Sequence, residues 1–157
     1  MNRKSILIVD DETANIQSLA QALGGAGPEA PYTLLFAKSG EQALVLAHSV
    51  QPDLILLDIS MPLLNGLEAA RQLRALVPES KLIFLTMHAS PTYAAEALKV
   101  GASGYLLKQS AASELQQAIE AVLIGQTYLT PMITRSVLES IGKPKEMRKS
   151  RMDLTPR

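Results

Sequence analysis

Four short apolar runs end in residues that can do chemistry. Ser5–Val9 runs into Asp10-Asp11-Glu12, Leu54–Leu57 into Asp58, Leu82–Leu85 into Thr86, and Gly104–Leu107 into Lys108. Carboxylates gathered in one place repel, so each must find a cation or take up a proton. A hard divalent cation resolves that conflict, and Mg²⁺ typically takes one or two carboxylates together with waters and a phosphoryl oxygen. An Asp carboxylate can itself be a nucleophile and become an aspartyl phosphate. Metaphosphate-like transfer needs its equatorial oxygens neutralised by metal, ammonium and hydroxyl groups. Asp10, Asp11, Asp58, Lys108 and Thr86 supply that set with one role each, provided one fold brings them together.

The elements that must do so are legible. Together with Tyr32–Ala37, the apolar runs make five candidate strands, most of them apolar on consecutive positions, as in a parallel sheet covered on both faces. Amphipathic segments lie between them. Ile16, Leu19, Ala20 and Leu23 follow the helical spacing, as do Leu115, Ala118, Ile119 and Val122, while Leu67, Ala70, Leu73, Leu76 and Val77 predict a third helix. Ser39-Gly40-Glu41-Gln42 fits a capping box ahead of Ala43–Ser49. Ser90-Pro91 supplies a cap and a first-turn proline for a helix running to about Val100, and Ser110 is placed to cap the last helix. The expectation is an α/β domain over residues 4–125, a five-stranded parallel sheet doubly wound with five helices. Ligands of such sheets bind at the carboxyl ends of the strands, where the polar residues converge, and no competing polar set is expected at the other rim. A further short helix is expected within 126–141, with Ile133, Val137 and Ile141 along one side.

Composition narrows the classes. The 157 residues are 47% hydrophobic and 19% charged, which is globular and not disordered. Without Cys there is no disulfide framework, thiolate metal site or cysteine nucleophile. His48 and His88 are too far apart in sequence for a local zinc pair. No apolar run approaches a membrane span, so a cytoplasmic protein without membrane contact is expected. The neutral total hides an asymmetry: residues 1–141 carry 9 Lys/Arg against 13 Asp/Glu, and residues 142–157 carry 6 against 2. The stretch 142–153 reads as a solvated basic linker, also compatible with contact to a phosphate backbone.

These residues and their mutual spacing resemble the receiver domain of two-component response regulators, over about Lys4 to Gly125. Ile8-Val9-Asp10-Asp11-Glu12 is similar to that family's acidic pair after the first strand. Asp53-Leu54-Ile55-Leu56-Leu57-Asp58-Ile59-Ser60-Met61-Pro62, with Gly66, is similar to its phosphoacceptor strand and following loop. The resemblance implies a flavodoxin-like, CheY-like fold and phosphorylation of Asp58 by a histidine kinase. It implies Mg²⁺ held by Asp10, Asp11, Asp58 and the backbone carbonyl of Ser60. It makes Thr86 the switch hydroxyl, Lys108 the phosphoryl-binding lysine, and Tyr105 the aromatic that turns inward when Thr86 moves. By the same resemblance, Ser60 and His88 tune hydrolysis of the acyl phosphate. Gly101–Lys108, Gly125–Pro131 and the closing Leu154-Thr155-Pro156-Arg157 resemble the NarL/FixJ/LuxR-type subfamily. Residues 154–157 then open a helix-turn-helix domain, so DNA would be read only by a segment beyond Arg157, and phosphorylation would drive homodimerisation or output.

Two alternatives differ in class. A stand-alone receiver would relay phosphate or bind a partner protein, against which the extra helix and basic tail count. A haloacid-dehalogenase-like phosphatase also uses Asp, Thr and Lys, but needs a second Asp two residues after the nucleophile, where this chain has Ser60.

Overall fold

The computed structural model describes residues 3–25, 27–59, 66–87, 90–131 and 134–135. Its elements are β1 (Lys4–Val9), α1 (Thr13–Ala22), β2 (Tyr32–Ala37), α2 (Gly40–Val50), β3 (Leu54–Asp58), α3 (Gly66–Leu76), β4 (Lys81–Thr86), α4 (Pro91–Val100), β5 (Gly104–Leu107), α5 (Ala111–Leu123) and β6 (Tyr128–Leu129). The sheet order is β2-β1-β3-β4-β5-β6, and every pairing is parallel.

Strand alternation sorts the core into two layers. Leu7, Val9, Ile55, Leu57, Leu82, Phe84, Tyr105 and Leu107 face one side, where Ala43 and Ala47 of α2, Ala70 and Leu73 of α3, and Ala94 and Ala97 of α4 cover them. Ile6, Ile8, Leu54, Leu56, Ile83, Leu85 and Leu106 face the other, against Ile16 and Leu19 of α1 and Leu115, Ala118, Ile119 and Val122 of α5. Burying each large side chain contributes roughly 1.5–3 kcal/mol before chain entropy is set against it. The unbroken apolar runs follow directly, since residues of both parities are buried.

Helix ends largely follow the expected chemistry. Ser39 Oγ accepts from Gln42 N at 3.1 Å, but Gln42 Oε1 accepts from Lys38 N at 2.8 Å, so the reciprocal bond falls one residue before the cap. Ser90 Oγ accepts from Tyr93 N with Pro91 in the first turn, and Gly101, at φ 108°, ends α4 in the left-handed conformation. Ser110 does not cap α5: it lies in a 3₁₀ turn of residues 108–110 with right-handed backbone, and its side chain makes no cap bond. Leu76 is 38% exposed, because α3 ends there and Val77, just past the helix, fills the core in its place.

The sheet has six strands where five are expected. Tyr128 and Leu129 pair with Gly104 and Tyr105, and the Tyr128 hydroxyl donates to Glu114 Oε1 at 2.9 Å. Burial and that carboxylate push the Tyr128 phenol up to about 12. Pro131, Thr134 and Arg135 are helical, and Thr134 N donates to the Thr130 carbonyl at 2.9 Å. The rest of the expected extra helix, residues 132–133 and 136–141 with Ile133, Val137 and Ile141, and the tail 142–157 lie outside the described residues. Among the described residues, no helix is long and apolar enough to cross a membrane.

Candidate functional site

Parallel pairing of β1, β3, β4 and β5 brings their carboxyl ends to one rim. Asp10 follows β1, Asp58 closes β3, Thr86 closes β4 and Lys108 follows β5. Asp10, Asp58 and Thr86 are buried at 0%, 3% and 2% exposure, so these are not solvated strand ends. Lys108 Nζ lies 2.8 Å from Asp10 Oδ2 and 3.4 Å from Asp58 Oδ1, bridging two carboxylates from neighbouring strands. Burial works against the Lys108 charge, but the contact with Asp10 and the charges of Asp58 and Asp10 outweigh it. Its pKa is therefore raised.

Asp10 is held by the start of α1 as well as by Lys108. Its Oδ1 accepts from Glu12 N at 3.0 Å and lies 3.5 Å from Asn15 Nδ2, while Glu12 holds the N-cap position of α1 without a side-chain bond. Among the described residues Asp10 Oδ2 is buried without a hydrogen-bond partner of good geometry; the Lys108 ammonium is its ion-pair partner. Oxygens of Asp10, Asp11 and Glu12 lie within 4.8 Å of one another, with Asp10 buried and the other two exposed. A buried carboxylate held by one ammonium, beside two exposed carboxylates, fits a hard, oxygen-seeking cation that keeps several of its waters. Glu12 is the member that sequence reasoning left out of the ligand set, although it stands in the same acidic run.

Gly66 is required by close approach. A Cβ there would collide with Ile59 Cα and sit 2.6 Å from the Asp58 carbonyl oxygen, both backbone atoms that cannot swing away. Its N–H donates to Ile59 O at 3.0 Å, so the start of α3 packs directly on the backbone that follows Asp58. Ser60 and His88 lie outside the described residues, as do Met61 and Pro62.

Tyr105 is fully buried on the α4 face. The aromatic thus already occupies the interior, where the sequence reading has it rotate in only after Thr86 moves. Burial raises its phenol pKa, the Thr86 hydroxyl moderates that rise, and Tyr93 adds to it. Among the described residues its hydroxyl makes no hydrogen bond of good geometry, so Thr86 is near enough to influence the phenol without satisfying it. A shallow cavity of about 110 Å³ between α1 and α5 is lined by Asn15, Ser18, Leu19, Ala22, Ala111 and Ala112, with Lys108 at its edge.

The opposite rim does carry polar residues, contrary to expectation. Ser5 N donates to Asp53 Oδ2 at 2.8 Å, Asp53 N lies 3.2 Å from Ser5 Oγ, and Ser80 Oγ donates to Pro52 O at 2.5 Å. These groups satisfy one another and leave no cluster short of partners.

Residues 6–120 match the response regulator receiver domain family. The chain is 36% identical over 138 residues to the transcriptional regulatory protein DegU of Brevibacillus brevis, covering 88% of this chain and 58% of that protein. It is 31% identical over 141 residues to the response regulator GacA of Pseudomonas aeruginosa, covering 90% of this chain and 65% of that one. The crystal structure of a LuxR-family two-component response regulator from Aurantimonas sp. SI85-9A1 superposes with a TM-score of 0.81 at 29% identity, over 88% of this chain and 98% of that one. A CheY-like receiver domain protein from Methanospirillum hungatei JF-1 gives 0.71 at 31% identity, over 78% and 95%. The chain therefore spans about three fifths of the length of these curated relatives.

Proposed function

The chain belongs to the response regulator receiver domain family, and from that premise we propose that it accepts a phosphoryl group on Asp58 from a histidine kinase, with Mg²⁺. The observation that carries this reading is the Lys108 ammonium lodged between Asp10 and Asp58 at the rim where the strands end. An Asp58 carboxylate oxygen attacks phosphorus, the new P–O bond forms as the P–N bond of a phosphohistidine breaks, and the leaving imidazole nitrogen keeps the electron pair. Lys108 neutralises charge on the transferred group, and the Thr86 hydroxyl offers it a hydrogen bond. Asp10, Asp11 and Asp58, with the backbone carbonyl of Ser60, are the ligand set for Mg²⁺, which supplies charge neutralisation at the phosphoryl oxygens when bound. Ser60 and His88 set the lifetime of the acyl phosphate. A signalling domain is thus favoured over a turnover phosphatase, in keeping with the family and with Ser60 at the position where an acid would be needed.

Phosphorylation replaces the single charge of the Asp58 carboxylate with roughly two on the phosphoryl group, a net gain of about one, and places three acceptor oxygens beside Lys108 and Thr86. It favours the arrangement in which Thr86 turns to the phosphoryl group and Tyr105 stays inward, as it is here, over one in which Tyr105 turns out. The domain reading is a receiver over 4–125, a segment 126–141 carrying an extra helix, a basic linker 142–153 and the beginning of a LuxR-type domain at 154–157. On that reading the whole protein is cytoplasmic, forms a phosphorylation-dependent homodimer and regulates transcription, with base readout by the helix-turn-helix and not by the receiver. Incubation with acetyl phosphate and Mg²⁺ should add one phosphoryl group, about 80 Da, by intact mass. Asp58→Asn should abolish that gain and Asp11→Ala should slow it; an equal gain in Asp58→Asn would remove Asp58 from its role.

A further inference from the structure

Sheet pairing ordinarily ends where a strand meets solvent, and an open edge is a liability that folds cover. Here residues 128–130 cover the outer edge of β5. Tyr128 N donates to Ser103 O at 2.9 Å, and Thr130 N donates to Tyr105 O at 3.1 Å. The Leu107 amide donates to Thr130 Oγ1 at 3.2 Å. Thr130 is 3% exposed, although it is a short polar residue at the end of a two-residue strand. One residue therefore holds β5 on either side of Leu106, at Tyr105 and at Leu107, just ahead of Lys108. Its carbonyl then receives Thr134 N at 2.9 Å and the Thr134 hydroxyl at 3.2 Å, starting the turn toward the carboxyl terminus. Tyr128 ties the same strand to α5 through Glu114.

We propose that Thr130 is a positioning residue through which the state of β5 reaches the carboxyl-terminal segment. The inference rests on the phosphoacceptor reading above. Any shift of the Tyr105 carbonyl or of the Leu107 amide must move Thr130 or break its bonds. Either event reaches Thr134, because the Thr130 carbonyl accepts from its amide and its hydroxyl. A buried amide left without an acceptor is costly, so the Leu107–Thr130 bond is kept in either state or exchanged for another. Sequence reasoning alone treats Tyr128–Pro131 as the approach to a helix, and the two-residue pairing gives no periodic signal of its own.

The test is amide hydrogen exchange on the full chain, with and without acetyl phosphate and Mg²⁺, alongside intact mass. Phosphorylation should change exchange at Thr130 and Thr134 by severalfold together with that at Tyr105 and Leu107. In Thr130→Val, which keeps the shape and removes the hydroxyl acceptor, the mass gain should persist while the response at Thr134 is lost. Thr130→Ser should restore it. Should Thr130→Val not fold, Thr130→Ser and the wild-type response still decide. A normal mass gain with unchanged exchange at Thr130 and Thr134 overturns this inference alone. A wild-type chain that takes up no phosphate overturns the phosphoacceptor reading and this one with it. A Thr130→Val response equal to wild type shows the coupling runs elsewhere.

Discussion

At the amino rim of the sheet, Ser5 and Asp53 exchange hydrogen bonds through side chain and backbone, and Ser80 closes on the Pro52 carbonyl. At the carboxyl rim, fewer than 25 Å away along strands of five or six residues, two buried carboxylates share one ammonium and a buried oxygen of Asp10 lacks a well-aligned donor. Both rims have an Asp beside a Ser or Thr, so residue type does not separate them. What separates them is whether the polar groups complete one another. A satisfied set stabilises and asks for nothing more, whereas one with surplus negative charge is poised for a cation or a phosphoryl group.

The largest expected effect comes from removing the ammonium. Lys108→Met removes the ammonium that Asp10 and Asp58 share, and should cost roughly 3 kcal/mol in urea unfolding without metal. Added Mg²⁺ should recover more stability in this variant than in wild type, since metal and ammonium compete for the same carboxylates. The pH dependence has a definite sign. Because the Lys108 pKa is raised on folding, its contribution is complete below the unfolded value of about 10.4 and is lost as pH rises through the higher folded value. Wild type should therefore lose stability above that pH more steeply than Lys108→Met; parallel curves would show that the pair contributes little.

Asp53→Ala sharpens the contrast from the other side. It removes an acceptor of the Ser5 amide and should cost about 1–2 kcal/mol. Neither Mg²⁺ response nor phosphoryl uptake should change, because the satisfied rim is structural. A variant that folds but takes up phosphate ten times more slowly would mean that the two rims are coupled.

Tyr105→Phe should give the smallest effect. The hydroxyl it removes is buried without a good partner, so thermal unfolding should show a change within about 0.5 kcal/mol of zero or a slight gain. A loss above about 1 kcal/mol would mean that Thr86 satisfies that hydroxyl in solution.

Length, order and parity of the apolar runs were enough to set out β1 to β5, because a strand buried on both faces tolerates no polar interruption. Once those strands are parallel, Asp10, Asp58, Thr86 and Lys108 must share a rim, so that meeting was legible without coordinates. Local capping was legible where a side chain and a backbone amide are near in sequence, at Ser39 and Ser90. What only the tertiary structure decided are relations between residues distant in sequence. Lys108 pairs most closely with Asp10, Gly66 is pinned against Ile59, and the amino rim closes on itself through Ser5 and Asp53. Tyr128–Leu129 becomes a strand because β5 offers an unpaired edge, and Thr130 is buried because that edge needs an acceptor. Periodicity records which residues seek an apolar layer; partners for buried charges and amides depend on distances that only the assembled sheet sets.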